Sequence, residues 1–541
     1  MQPFLKKIFF YVLFVVAAKA NAQQQIDTLQ KGKKLDVLFA ERMNIRKIDS
    51  GGQFISYAGN VRLKQGKTLF NADSIVLNEK ENTIEAFGKV HINDADSVQT
   101  YADYLKYIGN IKKAYLKKNV KLTDGKGILT TNDLEYDLNT KIGTYLNGGK
   151  VVNGKTVLTS KEGYYYGETR DIYFKNKVVL IDPGYKINTD TLLYNTYSNV
   201  ANFVTTTKIV TNDRKIKTKD GYYDLKNKIA YFGKRPEIED STSILKANEM
   251  NFDDSTGISI FKGDVVYKGK DPSGGYDLIT NRLETNSKKS SFIATETPIL
   301  LIKQGRDSVF IRADTLKSAK LSDFLKNRKV PNLRDSMTGK NAFVTAQAKD
   351  TANDKYFEAH AHVRIFSDSL QAIGDSLFYT LQDSVFRLFK SPVVWAQENQ
   401  INGDTIYLFM ENRKPQRIKV FENAMAINLV GKGYYNQLAG KTLNAFFVDG
   451  KINYMRCKGN PAQSIYYGVG DKGKFFGVNK AGADLIDMYF SDNKPDRVVF
   501  RNKLEGTTYP MGQVNHNELK LRGFKWLVEK RPKSKFEILT N

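Results

Sequence analysis

"GKVVNGKT", residues 149–156, fits the phosphate-loop pattern G-x-x-x-x-G-K-[ST]. A phosphate loop needs a buried strand before it and a helix after it, with the helix N-terminal N–H groups aimed at phosphate. After Thr156 comes "VLTSKEGYYYG", rich in β-branched and aromatic residues. That composition predicts strand rather than helix. Asn153-Gly154 lies between valines and "KTVL", which is a hairpin-turn signal. Related strings occur elsewhere, "QGKTLF" at 65–70 and "DGKGIL" at 124–129. Their glycines, Gly66 and Gly125, stand 59 residues apart, and Gly125 and Gly154 stand 29 apart. The string is therefore one turn of a repeat, and no nucleotide is expected.

The repeat runs through much of the chain. Segments beginning at 57, 86, 115, 145, 174, 203, 232 and 261 succeed one another at steps of 29 or 30 residues. Each opens on an aromatic or apolar residue. A Gly- or Asn-bearing turn comes next, then a short strand with Val or Ile: Val61, Val90, Val120, Val151, Val178, Ile209, Ile238, Val265. The second half of each unit carries an acid ahead of an apolar strand, as at Asp73, Asp103, Asp133, Glu162, Asp190, Asp220 and Glu249. The marker returns at Asp314, Asp375 and Asp404. A short period with strands and no helical pattern describes the rungs of a β-stack. Alternation sends Val61 and Leu63 one way and Arg62 the other, and Ile75 and Leu77 share a face. No rung can bury its apolar face alone, so stacking makes one continuous interior.

Composition agrees with an all-β chain. Tyr and Phe total 62, against 12 Pro and 40 Gly in 541 residues. Lys6-Lys7, the apolar run 8–18 and Ala20-x-Ala22 form the pattern of a secretory signal peptide over residues 1–22. Eleven apolar residues are too few for a span, which takes about 20. The chain is thus expected to be exported, which removes ATP as a ligand. Cys457 has no partner for an intramolecular disulfide and is expected to be a small apolar residue. The net charge of +25 favours anionic partners: glycolipid, polysaccharide or stray nucleic acid. No nucleic-acid module is visible, and part of the lysine content protects exposed strands.

Two stacks are expected, 36–318 and 343–530, separated by a polar linker at 319–342 containing Pro331. "NELKLRGFKWLVEKRP", 517–532, is expected to form a short helix that caps the second stack. Other motifs fail for want of context. "GVGDKG", 468–473, fits G-x-G-x-x-G but leads into "KFFGVNK" rather than a helix. His360 and His362 would share a strand face, yet no third metal ligand is in sight. The acidic column lacks the dense Gly/Asp nonapeptide of calcium-binding β-helices, and is expected to be solvated strand ends. No cofactor, metal or catalytic residue is assigned.

The paired pattern "AxGxVxL … ADxIxL … IxAxGxVxI" is carried by Ala58, Gly59, Val61 and Leu63, then Ala72, Asp73, Ile75 and Leu77, then Ile84, Ala86, Gly88, Val90 and Ile92. It resembles the OstA-like (organic solvent tolerance) domain found in the periplasmic bridge that carries lipopolysaccharide to the outer membrane. The match is strongest over 54–170, with weaker copies to 318. "SPVVWAQENQINGDTIYL" and "YYNQLAGKTLNAFF" in the second half look like the longer, Bacteroidetes-type members. The resemblance implies a β-jellyroll with an open trough that holds acyl chains. It also implies partners of the lipopolysaccharide-transport machinery joined by edge-strand addition, and a periplasmic, outer-membrane-associated location. The lipid-contacting residues would then be the inward set: Val61, Leu63, Ile75, Leu77, Ile84, Val90 and Ile92. The plain alternative is that each is ordinary core of a closed sandwich. This chain is longer than the short bridge protein, and nothing after 343 has the ten-residue amphipathic segments of a membrane barrel. Two other classes stay open: an exported β-solenoid enzyme acting on polysaccharide, and a structural or adhesin repeat protein.

Overall fold

A computed structural model describes residues 36–540 apart from 48–51, 66–67, 95–97, 124–126, 225, 272–274, 304–307, 331–353, 412–413, 432, 471–472 and 492–493. The expected signal peptide, residues 1–22, lies outside the described residues. The chain divides into two compact units, Met1–Ser241 with Lys246–Ser259, and Thr242–Leu245 with Ile260–Asn541. Strand pairing is antiparallel throughout the described ladders. Among the described residues, no helix is long and apolar enough to cross a membrane.

The N-terminal unit begins with β1 (Asp36–Phe39), β2 (Arg42–Lys47), β3 (Gln53–Gln65), β4 (Thr68–Asn78), β5 (Thr83–Asp94), β6 (Val98–Ile108), β7 (Lys113–Thr123) and β8 (Gly127–Asp137). From β3 to β8 each strand pairs with the next. Turns at one end repeat a left-handed residue at Asn82, Lys112, Lys141, Arg170, Asn199 and Lys228. Asx side chains close several of them: Asp137 Oδ1 accepts from the N–H groups of Asn139 (2.8 Å) and Thr140 (3.1 Å). At the other end, the nucleotide-like string forms a hairpin. Gly149–Asn153 pairs with Thr156–Ser160, and Asn153 faces Thr156 across Gly154 and Lys155. "GVGDKG" is likewise a hairpin end, where Val469 faces Phe475.

The element at the start of each repeat is not a hairpin turn that reverses the chain. In the repeats starting at 57, 86, 115, 174 and 261 it is a corner inside one strand, and in those at 145, 203 and 232 the strand breaks there. In β3, Ala58 faces Ser74 and Val61 faces Ala72, so Gly59 and Asn60 stand against Asp73 alone. Both have positive φ, 84° and 45°. The pair is a bulge that bends the strand and shifts its register against the partner by one residue. It recurs at Gly88-Lys89, Lys118-Asn119, Asn176-Lys177 and Lys234-Arg235, and in the C-terminal unit at Ala361-His362, Lys390-Ser391 and Glu422-Asn423. Each long strand thus has two limbs, one before and one after its corner.

The acidic column is corrected in part. Asp73, Asp103, Asp133, Asp190 and Asp375 sit mid-strand, whereas Glu162, Asp220 and Glu249 do open their strands and Asp314 and Asp404 lie between two strands. Asp103 Oδ2 accepts from Asn119 Nδ2 at 2.7 Å, Asp133 Oδ2 from Asn147 Nδ2 at 3.1 Å, and Glu162 from Asn176. Asp404 Oδ2 accepts from Asn423 Nδ2 at 2.8 Å. At Gly88 the acid leaves no room for a side chain, since an added Cβ would lie 2.2 Å from Asp73 Oδ2. Left-handed backbone is costly for most residues; the carboxylates hold it in place.

In the C-terminal unit the stretch expected as a linker opens with a helix, Leu321–Asn327. Its Leu321 and Phe324 are buried against Phe378. Residues 331–342 of that linker, and 343–353 beyond it, lie outside the described residues. The capping segment also differs from expectation. Residues 517–532 are turns and extended chain with one 3-10 turn, Val528–Lys530, and the helix comes later, at Lys535–Thr540. The segment closes short turns with its own backbone and is fixed to the sheet by side chains. Gln437 Oε1 accepts from the Leu521 N–H (2.8 Å) while its Nε2 donates to the Leu519 carbonyl (3.1 Å). Gln400 does the same with the Leu527 N–H and the Lys525 carbonyl, both at 2.7 Å. Gln371 Oε1 accepts from Arg531 Nε at 2.8 Å. These glutamines lie on one cross-strand row, Gln371–Trp395–Gln400–Ile427–Gln437–Ile465. All six side chains are buried.

Candidate functional site

The inward side chains of β3 to β8 form one apolar cluster. Tyr57 and Ala86, before their corners, and Val61, Leu63 and Val90, after theirs, all belong to it. Both limbs of each bent strand therefore line a common interior. Inward positions keep one parity through the bulged strand, as Tyr57, Val61 and Leu63 do, and shift by one on its partner, from Ala72 to Ile75, so the extra residue keeps the two inward sets opposite each other. Fully burying one such aliphatic side chain is worth about 1.5–3 kcal/mol, and the repeat multiplies this along the stack.

All seven residues read from the sequence as lipid-contacting fall in this cluster. Val61, Leu63, Ile75 and Val90 are buried at 0–3% exposure. Leu77, Ile84 and Ile92 are partly buried and pack against them, as do Phe70, Leu122, Leu134, Tyr136 and Leu138. The two groups differ in what can reach them. The first is fully enclosed, while the second keeps part of its surface exposed. Arg62 is exposed on the opposite face.

The interior further along the unit stays uncharged. Tyr145 is buried with its hydroxyl 2.6 Å from Ser160 Oγ, and Tyr194 bonds to Asn199 Oδ1 at 3.0 Å. Burial pushes each phenol up to about 12, so neither ionises near neutral pH. A feature the sequence reading missed is a column of inward hydroxyls at Thr131, Ser160, Thr189 and Thr218, spaced by 29 residues. Each donates to the carbonyl two residues on, at 3.2, 2.9, 3.2 and 2.6 Å. They satisfy backbone oxygens freed beside the corners. The signal was present, as a Ser or Thr one or two residues ahead of the acidic marker.

Groups with catalytic or metal-binding chemistry are used locally. His91 stacks on Tyr101 at 4.5 Å and bonds to Gln99. His362 Nδ1 lies 2.8 Å from Asp314 Oδ2, in a corner, whereas His360 pairs with Ser376 on the strand. The two histidines therefore do not share the strand face expected of them. Among the described residues, no group of three His, Cys, Asp or Glu side chains is placed to hold a metal ion. Cys457 is fully buried, and burial pushes its thiol up to about 12.

β1 and β2 are the strands at the start of the stack, and both pair with β3. Their side chains are largely exposed, including Val37, Leu38, Phe39, Met43 and Ile45. This is an apolar edge of the sort that accepts another strand.

No curated protein matches the chain. Among solved structures, one similar chain is LptH, described as the LptA-homologous periplasmic component of the lipopolysaccharide transport device of Pseudomonas aeruginosa. It is 17% identical, and the alignment covers 20% of this chain and 80% of that one with a TM-score of 0.18. Another is the extracellular domain of BT4673 from B. thetaiotaomicron, 8% identical over 88% of this chain and 99% of that one, with a TM-score of 0.09. Both overlaps are too loose to say more about this chain. The family comparison is specific: residues 33–190, which hold β1 to β8 and the seven inward residues, match the OstA-like protein family.

Proposed function

We propose that the chain is a periplasmic lipopolysaccharide-binding and transport protein that shields acyl chains in the apolar interior of its N-terminal stack. The observation that carries this reading is the coincidence of the OstA-like match with a single uncharged cluster holding all seven inward residues. Exposing acyl chains to water costs about 0.8 kcal/mol per CH₂, so a carrier must supply a dry surface. Repeated rungs supply similar ones, along which a lipid can slide. Lysine and arginine near the opening meet lipid A phosphates. The reading includes export by residues 1–22, stacks over 36–318 and 343–530, an outer-membrane-associated location, and docking to other transport components at the β1–β2 edge. It requires no cofactor and no catalytic residue.

Photocrosslinking in the native cell tests it. Probes at Leu77, Ile84 and Ile92 should give lipopolysaccharide adducts, those at Ile75 and Val90 weaker ones, and a probe at Arg62 none. Normal protein levels with no adduct at any inward position would make the cluster plain core and remove the transport reading.

A further inference from the structure

The outward faces of the two limbs in the N-terminal unit carry differently arranged charge. On the limb before the corner, outward residues of both signs pair with one another. Lys106 meets Glu85 at 2.9 Å and Lys113 meets Glu135 at 2.6 Å. Lys117 faces Asp133 across the ladder. On the limb after the corner, from β3 to the strand Thr207–Thr211, the outward charged side chains are Arg62, Lys64, Lys121, Lys150, Lys186 and Lys208. All six are exposed, and among the described side chains no carboxylate shares the face with them on these strands. Asp36 opposite Lys64, and Glu237 and Glu239 opposite Lys217 and Lys215, close the face at its two ends.

Two details set this face apart from an ordinary solvated surface. Lys208 stands directly opposite Lys217, an arrangement that works against the sheet and so is not there to stabilise it. Aliphatic side chains also lie among the cations, with Ile181 49% and Val210 39% exposed. Lysines of one sign interleaved with exposed aliphatics suit a plane of phosphate headgroups over hydrocarbon, where the ammonium groups meet phosphate and the aliphatics reach the interface. A soluble anionic polymer would reward the lysines alone.

We infer that this face docks the N-terminal unit flat against an anionic phospholipid bilayer surface. The docking face is the outward side of the sheet, so it acts without the interior being filled and goes beyond the carriage of lipid within it. Attraction of this kind falls off within a Debye length, about 8 Å at physiological salt.

The test is co-sedimentation of the mature chain with vesicles of phosphatidylcholine, with and without one-third phosphatidylglycerol, at low and physiological salt. Binding should need phosphatidylglycerol and weaken with salt. Replacing Lys121, Lys150, Lys186 and Lys208 by Glu should weaken it at least 100-fold, since each lysine contributes roughly fivefold. The same charge change at four exposed corner lysines, Lys89, Lys118, Lys177 and Lys234, should leave binding within about threefold. Unchanged thermal unfolding of both variants would show that they fold. Equal losses in the two variants, equal binding to neutral vesicles, or full displacement by heparin at physiological salt would each overturn the proposal.

Discussion

The limb after the corner has an outward face in both units, and the two faces have opposite fates. In the N-terminal unit the row four residues past the corners reads Lys64, Asn93, Thr123 and Ile181, and none of these is buried. In the C-terminal unit the corresponding positions are Phe366, Trp395 and Ile427. Trp395 and Ile427 are buried, and with them lie Gln371, Gln400 and Gln437 on the neighbouring strands. The corners and hairpins are alike, so the rung itself does not decide what its outer face does. The outward residue decides. A polar or basic row stays open to solvent or a partner. An apolar row with amides must be covered, and here the chain covers it with its own residues 515–531.

The comparison is broken most severely by removing the cover. Deleting residues 515–541 should leave Gln400, Gln437, Ile427, Ile465 and Tyr467 facing water. Hydrogen exchange should then lose protection over 424–482 by several orders of magnitude while β3 to β8 stay unchanged. If protection survived in the C-terminal unit, the tail would be an ornament and the two faces would be equivalent in energy.

A smaller effect comes from one amide. Gln437→Leu leaves the Leu521 N–H and the Leu519 carbonyl buried without their partner. Each unsatisfied group costs about 1–3 kcal/mol, so urea unfolding should show a loss of roughly 2–4 kcal/mol in the C-terminal transition. Thr130→Val, on the exposed outward face of the N-terminal unit, should change its transition by no more than about 0.5 kcal/mol. Similar losses at both sites would show that the open face is also doing structural duty.

The smallest effect concerns chemistry on the inward side, which both units share. Cys457 is sealed in the C-terminal interior with its thiol held protonated up to about 12. The folded protein should give no detectable reaction with a thiol reagent at pH 8, and one equivalent after unfolding in guanidinium. The sign is set by burial, since removing water penalises the thiolate and the reactive form is absent below the raised value. Rapid labelling of the native chain would mean that the C-terminal interior opens readily.

Much of the inward architecture was legible in the residues. Alternation in "VRL" and "SIVL" placed Val61, Leu63, Ile75 and Leu77 correctly, because a two-residue period has only two answers and burial selects one. The period near 29 residues identified rungs. What it could not reveal was that at 59–60, 88–89, 118–119 and 176–177 the element bends a strand instead of ending it. Two left-handed residues serve a turn and a bulge equally well, and only the cross-strand register, Ala58 to Ser74 and then Val61 to Ala72, separates them. The corner partners of the acids were hidden for the same reason, since they stand 14 to 19 residues away.

The outward face of the second unit was harder still. "VVWA" and "NQIN" are apolar or amide-bearing on both faces, a sign that both sides of the strand are covered. Nothing local names the cover. Gln437 finds its partners 82 and 84 residues further on, and Gln400 its own at 125 and 127. Periodicity by itself determined an all-β stack, its inward residues and the OstA-like pattern, because each depends on contacts between adjacent strands. Which outer face stays bare and which is strapped was decided by tertiary structure alone, because the tail's backbone groups are satisfied by amides that only the folded sheet brings into one row.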